Sequence, residues 1–220
     1  MKSRMTNILL LTLLVTFSLN LNAGGETGNG GDGIVCKSRD GFNIEMYDIY
    51  EGQVKRKIDI DFYTDIPNLT SYQDYLFKTL SMIRELDPVR FHKYTDWGRS
   101  FMSESTFTYA PLVDIPDAGV SVLEPGCHLV QLAVQETPTL PGDYRYTIDA
   151  ELWNRLNDFH RSALILHELI LREAIEESDY KHTNTKYVRY FNSILHSEKL
   201  KTMGTQEYIQ EVQLSKLKTY

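Results

Sequence analysis

Short runs in which apolar residues recur at every second position are concentrated in the first two thirds of the chain. Along the last third apolar residues recur at every third or fourth position. Ile34-Val35-Cys36, continuing to Phe42-Asn43-Ile44, predicts a first strand or hairpin, and 45–51 fits either a helical turn or more strand. Residues 57–62 alternate cleanly and predict a strand. Ser71 predicts the cap of a helix running to about Leu86, with Asp87-Pro88 as its stop. Residues 89–104 have mixed character; Phe91, Tyr94, Trp97 and Phe101 are expected to cover the core. Strands are predicted over 106–110, 119–123, 128–135 and 144–148, broken by prolines and a turn at 138–143. Asp149 predicts the cap of one long helix striped by Leu152, Leu156, Phe159, Ala163, Leu166 and Ile170. Between 163 and 171 that helix is apolar nearly all round, so it should be the central buried one. Asn184 or Thr185 opens a further helix, and 206–217 a last one. The expected fold class is α+β, with antiparallel strands in the first two thirds packed on a C-terminal helical part.

Three segments divide the chain. Lys2 and Arg4, the apolar block 8–19 and Ala23 predict a secretory signal peptide over 1–23. Residues 24–33, GGETGNGGDG, predict a flexible Gly-rich leader. A single globular domain is expected over 34–220. Removing the signal takes the net charge from −7 to −9, which disfavours nucleic acid as a partner. No later stretch is long and apolar enough for a membrane helix, so the mature chain is expected not to be an integral membrane protein. An export signal with two cysteines, Cys36 and Cys127, suggests one disulfide, two free buried thiols being the alternative. The expected location is periplasmic or extracellular.

The candidate chemistry lies in the central helix, at His167-Glu168. Polar groups in so apolar a run need partners. In zinc peptidases of the HExxH type, two histidines four apart hold the metal and the Glu is the general base. Here the second position is Leu171, which cannot ligate. His160, seven residues back, is about 10.5 Å away along the helix, too far to share one ion with His167. Zinc is therefore disfavoured. A strand before the helix and His182 after it still resemble a degenerate zincin arrangement. A plainer expectation pairs Glu168 with Arg172, and Arg172 with Glu176, along the helix surface, while His167 bonds a backbone carbonyl or a tyrosine. Together with Arg172, the residues Glu173, His182, Thr185, Arg189 and Asn192 are expected to form a supporting polar cluster. Thr185, Arg189 and Asn192 share one helix face, from which Arg189 is expected to reach Glu168 or Glu173.

Several short segments recur together in a family of exported Gram-negative proteins: a GNGGD leader before a strand ending in Cys, a Pro-Gly-Cys segment, a Leu-His-Glu helix continuing as Arg-Glu-Ala, and an HxxTxxxRxxN segment. The chain resembles this family through Gly28-Asn29-Gly30-Gly31-Asp32, Cys36, Pro125-Gly126-Cys127, Leu166-His167-Glu168, Arg172-Glu173-Ala174, His182, Thr185, Arg189 and Asn192. The resemblance implies export and a Cys36–Cys127 pairing more than any activity. Three functional expectations result. One is an exported envelope or secreted protein whose His-Glu helix is a structural clasp. Another is a hydrolase, metal-dependent and zincin-like or metal-free, using His167 and Glu168 as catalytic groups. The third is a secreted binding module with an exposed groove of tyrosines and Trp97.

Overall fold

The computed structural model describes residues 27–28, 30–38, 41–64, 66–113, 123–177 and 185–220. The expected signal peptide, most of the strand expected over 119–123, and His182, Thr183 and Asn184 lie outside these residues.

The chain is an α+β protein, with its strands in the N-terminal two thirds and most of its helices after them. Three strands, β1 (Thr27–Gly28), β2 (Asp32–Ser38) and β3 (Gly41–Met46), lead directly into α1 (Tyr47–Arg56). The ambiguous stretch 45–51 is thus both: strand to Met46, helix from Tyr47. Next come α2 (Tyr72–Met82) and α3 (Pro88–Ser100). A 3-10 turn, Phe101–Glu104, precedes β4 (Ser105–Thr108), β5 (Cys127–Gln131), β6 (Ala133–Glu136) and β7 (Tyr146–Asp149). The remainder is helical: α4 (Ala150–Arg155), α5 (Asp158–Glu177), α6 (Lys186–Leu195) and α7 (Thr205–Leu214). Two small sheets result, with strand orders β1-β6-β7-β4 and β3-β2-β5. All pairs are antiparallel except β4 with β7.

Local chemistry explains where elements begin and end. Ser71 and Asp74 form a reciprocal capping box at the start of α2. Asp87-Pro88, expected only as a stop, also starts α3: the Asp87 carboxylate accepts from Arg90 N at 2.9 Å, and Pro88 occupies the first turn, where no N–H is needed. The strand expected over 57–62 does not form. Lys57 turns into the left-handed region (φ 57°) to close α1, and the extended connector makes one bridge, Ile60 to Ser197. Its alternation reflects Ile58 and Ile60 dropping onto the core from a connector, not a ladder. The long helix expected from Asp149 is two helices. Asp149 caps Leu152 N (2.9 Å), the chain breaks at Leu156, and the Asn157 side chain recaps α5 at His160 N (2.9 Å).

The stretch 128–135 is likewise two strands in different sheets. Leu132 lies between them, and Leu132 N and Ala133 N both donate to Gly31 O, at 3.0 and 3.3 Å. That carbonyl belongs to the segment expected to be a flexible leader. The structure corrects this expectation for Gly30, Gly31 and Asp32, all buried. Glycine is required here not for flexibility but for closeness. A Cβ on Gly30 would lie 2.1 Å from Ala133 O, and one on Gly31 2.4 Å from Leu164 Cδ1.

The main core gathers around α5, whose Ala163, Leu164, Leu166, Leu169 and Ile170 have no exposed surface. A satellite cluster of Ile34, Tyr47 and Tyr50 sits at the other sheet, beside the Cys36–Cys127 disulfide.

Candidate functional site

Of the five buried polar side chains of α5, Ser162 bonds its own helix at Phe159 O, and the other four each meet a different neighbour. His160 Nδ1 accepts from Met46 N at 3.3 Å, at the end of β3. His167 Nδ1 lies 2.8 Å from Asp48 Oδ2, on α1. Glu168 Oε1 accepts from Gly31 N at 2.7 Å, and its Oε2 accepts from Gln135 Nε2, on β6, at 2.9 Å. Glu173 receives both arms of Arg90, on α3, at 3.0 and 2.7 Å, and the Tyr94 hydroxyl at 2.6 Å. His167, Glu168 and Glu173 have no exposed surface.

Asp48 is the junction between α5 and α6. Its Oδ2 takes His167 and also Asn192 Nδ2, at 2.6 Å, while Asn192 Nδ2 lies 2.9 Å from Ala163 O on α5. Burial alone would hold His167 neutral, but the Asp48 carboxylate overrides it and raises its pKa to about 9. Burial likewise opposes the Asp48 charge, yet His167, Asn192 and Arg189 hold its pKa below the usual aspartate value. His167 is therefore a buried imidazolium at neutral pH, paired with a carboxylate. Glu168 differs: burial raises its pKa, partly offset by His167, Gln135 and the Gly31 N–H. His160 and His196 are held neutral, burial lowering each to about 4.

Several sequence expectations change. Glu168 does not pair with Arg172, because the strand segment and β6 claim both its oxygens. Arg172 instead bonds Glu104 Oε2 at 3.1 Å and, as expected, Glu176, at 3.4 Å. Arg189 reaches neither Glu168 nor Glu173. Its Nε donates to Glu51 Oε2 at 2.8 Å and its Nη1 to Thr185 Oγ1 at 2.9 Å. Thr185, Arg189 and Asn192 do share a face, but that face turns toward α1, and only Asn192 connects through Asp48 to His167. His167 bonds a carboxylate rather than a carbonyl or a tyrosine. Leu171 is buried in the core. The Trp97 ring meets two cations, the Arg172 guanidinium 4.3 Å and Lys93 Nζ 5.6 Å from its centre. His182 lies outside the described residues.

The sequence reading missed Asp48, Glu51, Arg90, Gln131 and Gln135. Asp48 and Glu51 sit three apart in Tyr47-Asp48-Ile49-Tyr50-Glu51, and their spacing to buried Ile49 and Tyr50 was the available signal of a helix buried on its polar side too. Gln131 and Gln135 had none, because what matters is their reach. Gln131 Nε2 holds Gly30 O (3.1 Å) and Ala133 O (2.7 Å), fixing the glycine pair against β6.

Among the described residues, no group of three or more His, Cys, Asp or Glu side chains gathers in a metal-holding arrangement, and no helix is long and apolar enough to cross a membrane. Two surface hollows, of about 400 and 190 Å³, are lined by neither His167 nor Glu168. Comparison of the chain with protein-family models, with curated proteins and with solved structures finds no match.

Proposed function

We propose that this is an exported, disulfide-linked protein without an enzymatic activity at its His-Glu helix, and that the buried polar residues of α5 act as a structural clasp. The supporting observation is that four buried α5 side chains hold five segments from elsewhere in the chain: His160 holds β3, His167 α1, Glu168 the segment before β2 and also β6, and Glu173 α3. Apolar contact alone tolerates sliding along a helix, whereas a buried charge accepts only a matching partner. The clasp thus fixes register as well as proximity. Export is supported by the disulfide and by the signal-like N-terminus. His167→Ala leaves the Asp48 carboxylate buried without its cation, a loss of about 3 kcal/mol and hence a melting temperature lower by about 8 °C. His92→Ala, at an exposed position, is the control. Equal melting temperatures for the two variants would remove the clasp.

One observation favours the hydrolase reading. With Nδ1 on a carboxylate, the protonated His167 ring is oriented as a general acid is, and its Nε2 has no hydrogen-bond partner among the described residues. That atom is sealed in the core. Turnover of ester or peptide substrates, with or without added zinc, that disappears in Glu168→Gln would establish this reading in place of the clasp.

A further inference from the structure

The Cys36–Cys127 disulfide lies in the β3-β2-β5 sheet, whose other features suggest more than a staple. The two cysteines are directly opposite in the antiparallel β2–β5 ladder, with Cα atoms 4.0 Å apart. The next pair, Lys37 and Gly126, carries the ladder hydrogen bond, Lys37 N to Gly126 O at 3.1 Å. Cys36 and Cys127 therefore occupy a non-hydrogen-bonded position, where side chains approach most closely and no backbone bond closes the gap. Both residues are partly exposed. Cys36 is on the central strand, flanked by β3 and β5, whereas Cys127 begins an edge strand. It follows Gly126, which turns at φ +90°, and a Cβ there would meet only Lys37 Cβ, at 3.9 Å. Cys127 is thus the partly exposed, edge-strand end of the disulfide, next to an exposed glycine turn.

We infer that Cys36–Cys127 is a site of thiol–disulfide exchange with an external dithiol. A thiolate of the dithiol attacks Cys127 Sγ. The S–S bond breaks and its electron pair passes to Cys36 Sγ, which takes up a proton. The second thiol of the reagent then closes on the mixed disulfide and expels the Cys127 thiolate, which is protonated in turn. The dithiol is oxidised by two electrons and the protein disulfide is reduced by two.

The rest of the fold keeps this opening local. At their other ends β2 and β5 are held without the sulfurs: Gly31 N on Glu168, Gly31 O under Leu132 N and Ala133 N, and Gln131 on Gly30. What opening releases is the turn leading into β5. Leu123, Cys36, Cys127 and Leu129 cover the satellite cluster of Ile34, Tyr47 and Tyr50. Reduction therefore uncovers a small apolar surface while the main core stays closed.

The test is native-state reduction of the full chain by dithiothreitol, followed by alkylation, a mass count of blocked thiols, and far-UV circular dichroism on the same samples. The expected rate is proportional to dithiothreitol concentration and within about a hundred-fold of the urea-unfolded chain, with the dichroism unchanged. A rate independent of dithiothreitol, a rate slower than that bound, or loss of dichroism on reduction would each overturn the inference. The double variant Cys36→Ser, Cys127→Ser checks the consequence separately. It should keep the dichroism of the parent and bind an apolar dye at least about twice as strongly, since dye binding reports uncovered apolar surface. Unchanged dye binding, or failure of the variant to fold, overturns local uncovering.

Discussion

At the scale of single residues, Glu168 shows how one carboxylate can hold two chain segments. Its two oxygens face different donors, a backbone N–H from Gly31 and a side-chain amide from Gln135. Gln135 also donates to the Glu168 backbone carbonyl, at 2.9 Å, which holds its amide in one orientation. A glutamine at 168 would keep the Gly31 bond but set two amide nitrogens against each other. A leucine would leave the buried Gly31 N–H without an acceptor. Glu168→Leu is therefore expected to cost about 3 kcal/mol and Glu168→Gln about half of that, both read from urea unfolding midpoints. Equal losses would mean that the Gly31 bond contributes nothing beyond packing.

At the scale of elements, the glycine pair and the central helix form one device. Gly30 and Gly31 lie flat between Ala133 and Leu164 because they have no side chain, and only this closeness lets Glu168 bond the backbone. Gly30→Ala sets a Cβ against a backbone carbonyl that cannot rotate away. It should cost about 2 kcal/mol or more by overpacking, whereas Gly204→Ala, in open space at φ −83°, should cost less than half as much. Thermal unfolding of the two variants decides it; a milder effect at Gly30 would count against the tight fit. Elements set by neighbouring residues were legible in the sequence. The helix after Ser71 could be read from its cap, and the helix after Thr185 from its amphipathic period. The helix of 88–100 was hidden because Asp87-Pro88 serves equally as a stop for the helix before it and a start for the one after. The break at Leu132 was not legible, because it depends on Gly31, a hundred residues away. For the same reason His167 and Glu168 could be singled out but not their partners. Asp48 and Gln135 look like ordinary surface residues until the topology brings them in.

At the scale of the molecule, the buried histidines set opposite pH dependences. His160 and His196 have folded pKa values near 4, below the ordinary 6.5, so between pH 4 and 6.5 the unfolded chain binds more protons at these sites and stability rises with pH. His167, near 9, behaves oppositely. Its contribution is fully present below about 6.5 and is lost as pH rises through 9. Asp48, whose pKa is lowered, adds stability above its unfolded value and loses it in acid. The raised pKa of Glu168 offsets part of the acidic-side rise. A maximum near pH 6.5 is expected, with a fall of about 1.4 kcal/mol per unit on the alkaline side at steepest. Unfolding free energies measured from pH 5 to 9 test this. In Asp48→Asn the alkaline fall should vanish; its persistence would assign it to another group.

The clasp has a temporal side as well. Gly31 bonds a residue 137 positions downstream, Met46 one 114 downstream, and Asp48 residues 119 and 144 downstream. A chain emerging from its N-terminus completes the β2–β3 hairpin and α1 long before these distant partners exist. Bonds that span so much sequence form late, because the intervening loop must close first. These four bonds therefore cannot form until α5 and α6 have been added to the chain, so the hairpin and α1 gain their deepest anchors last.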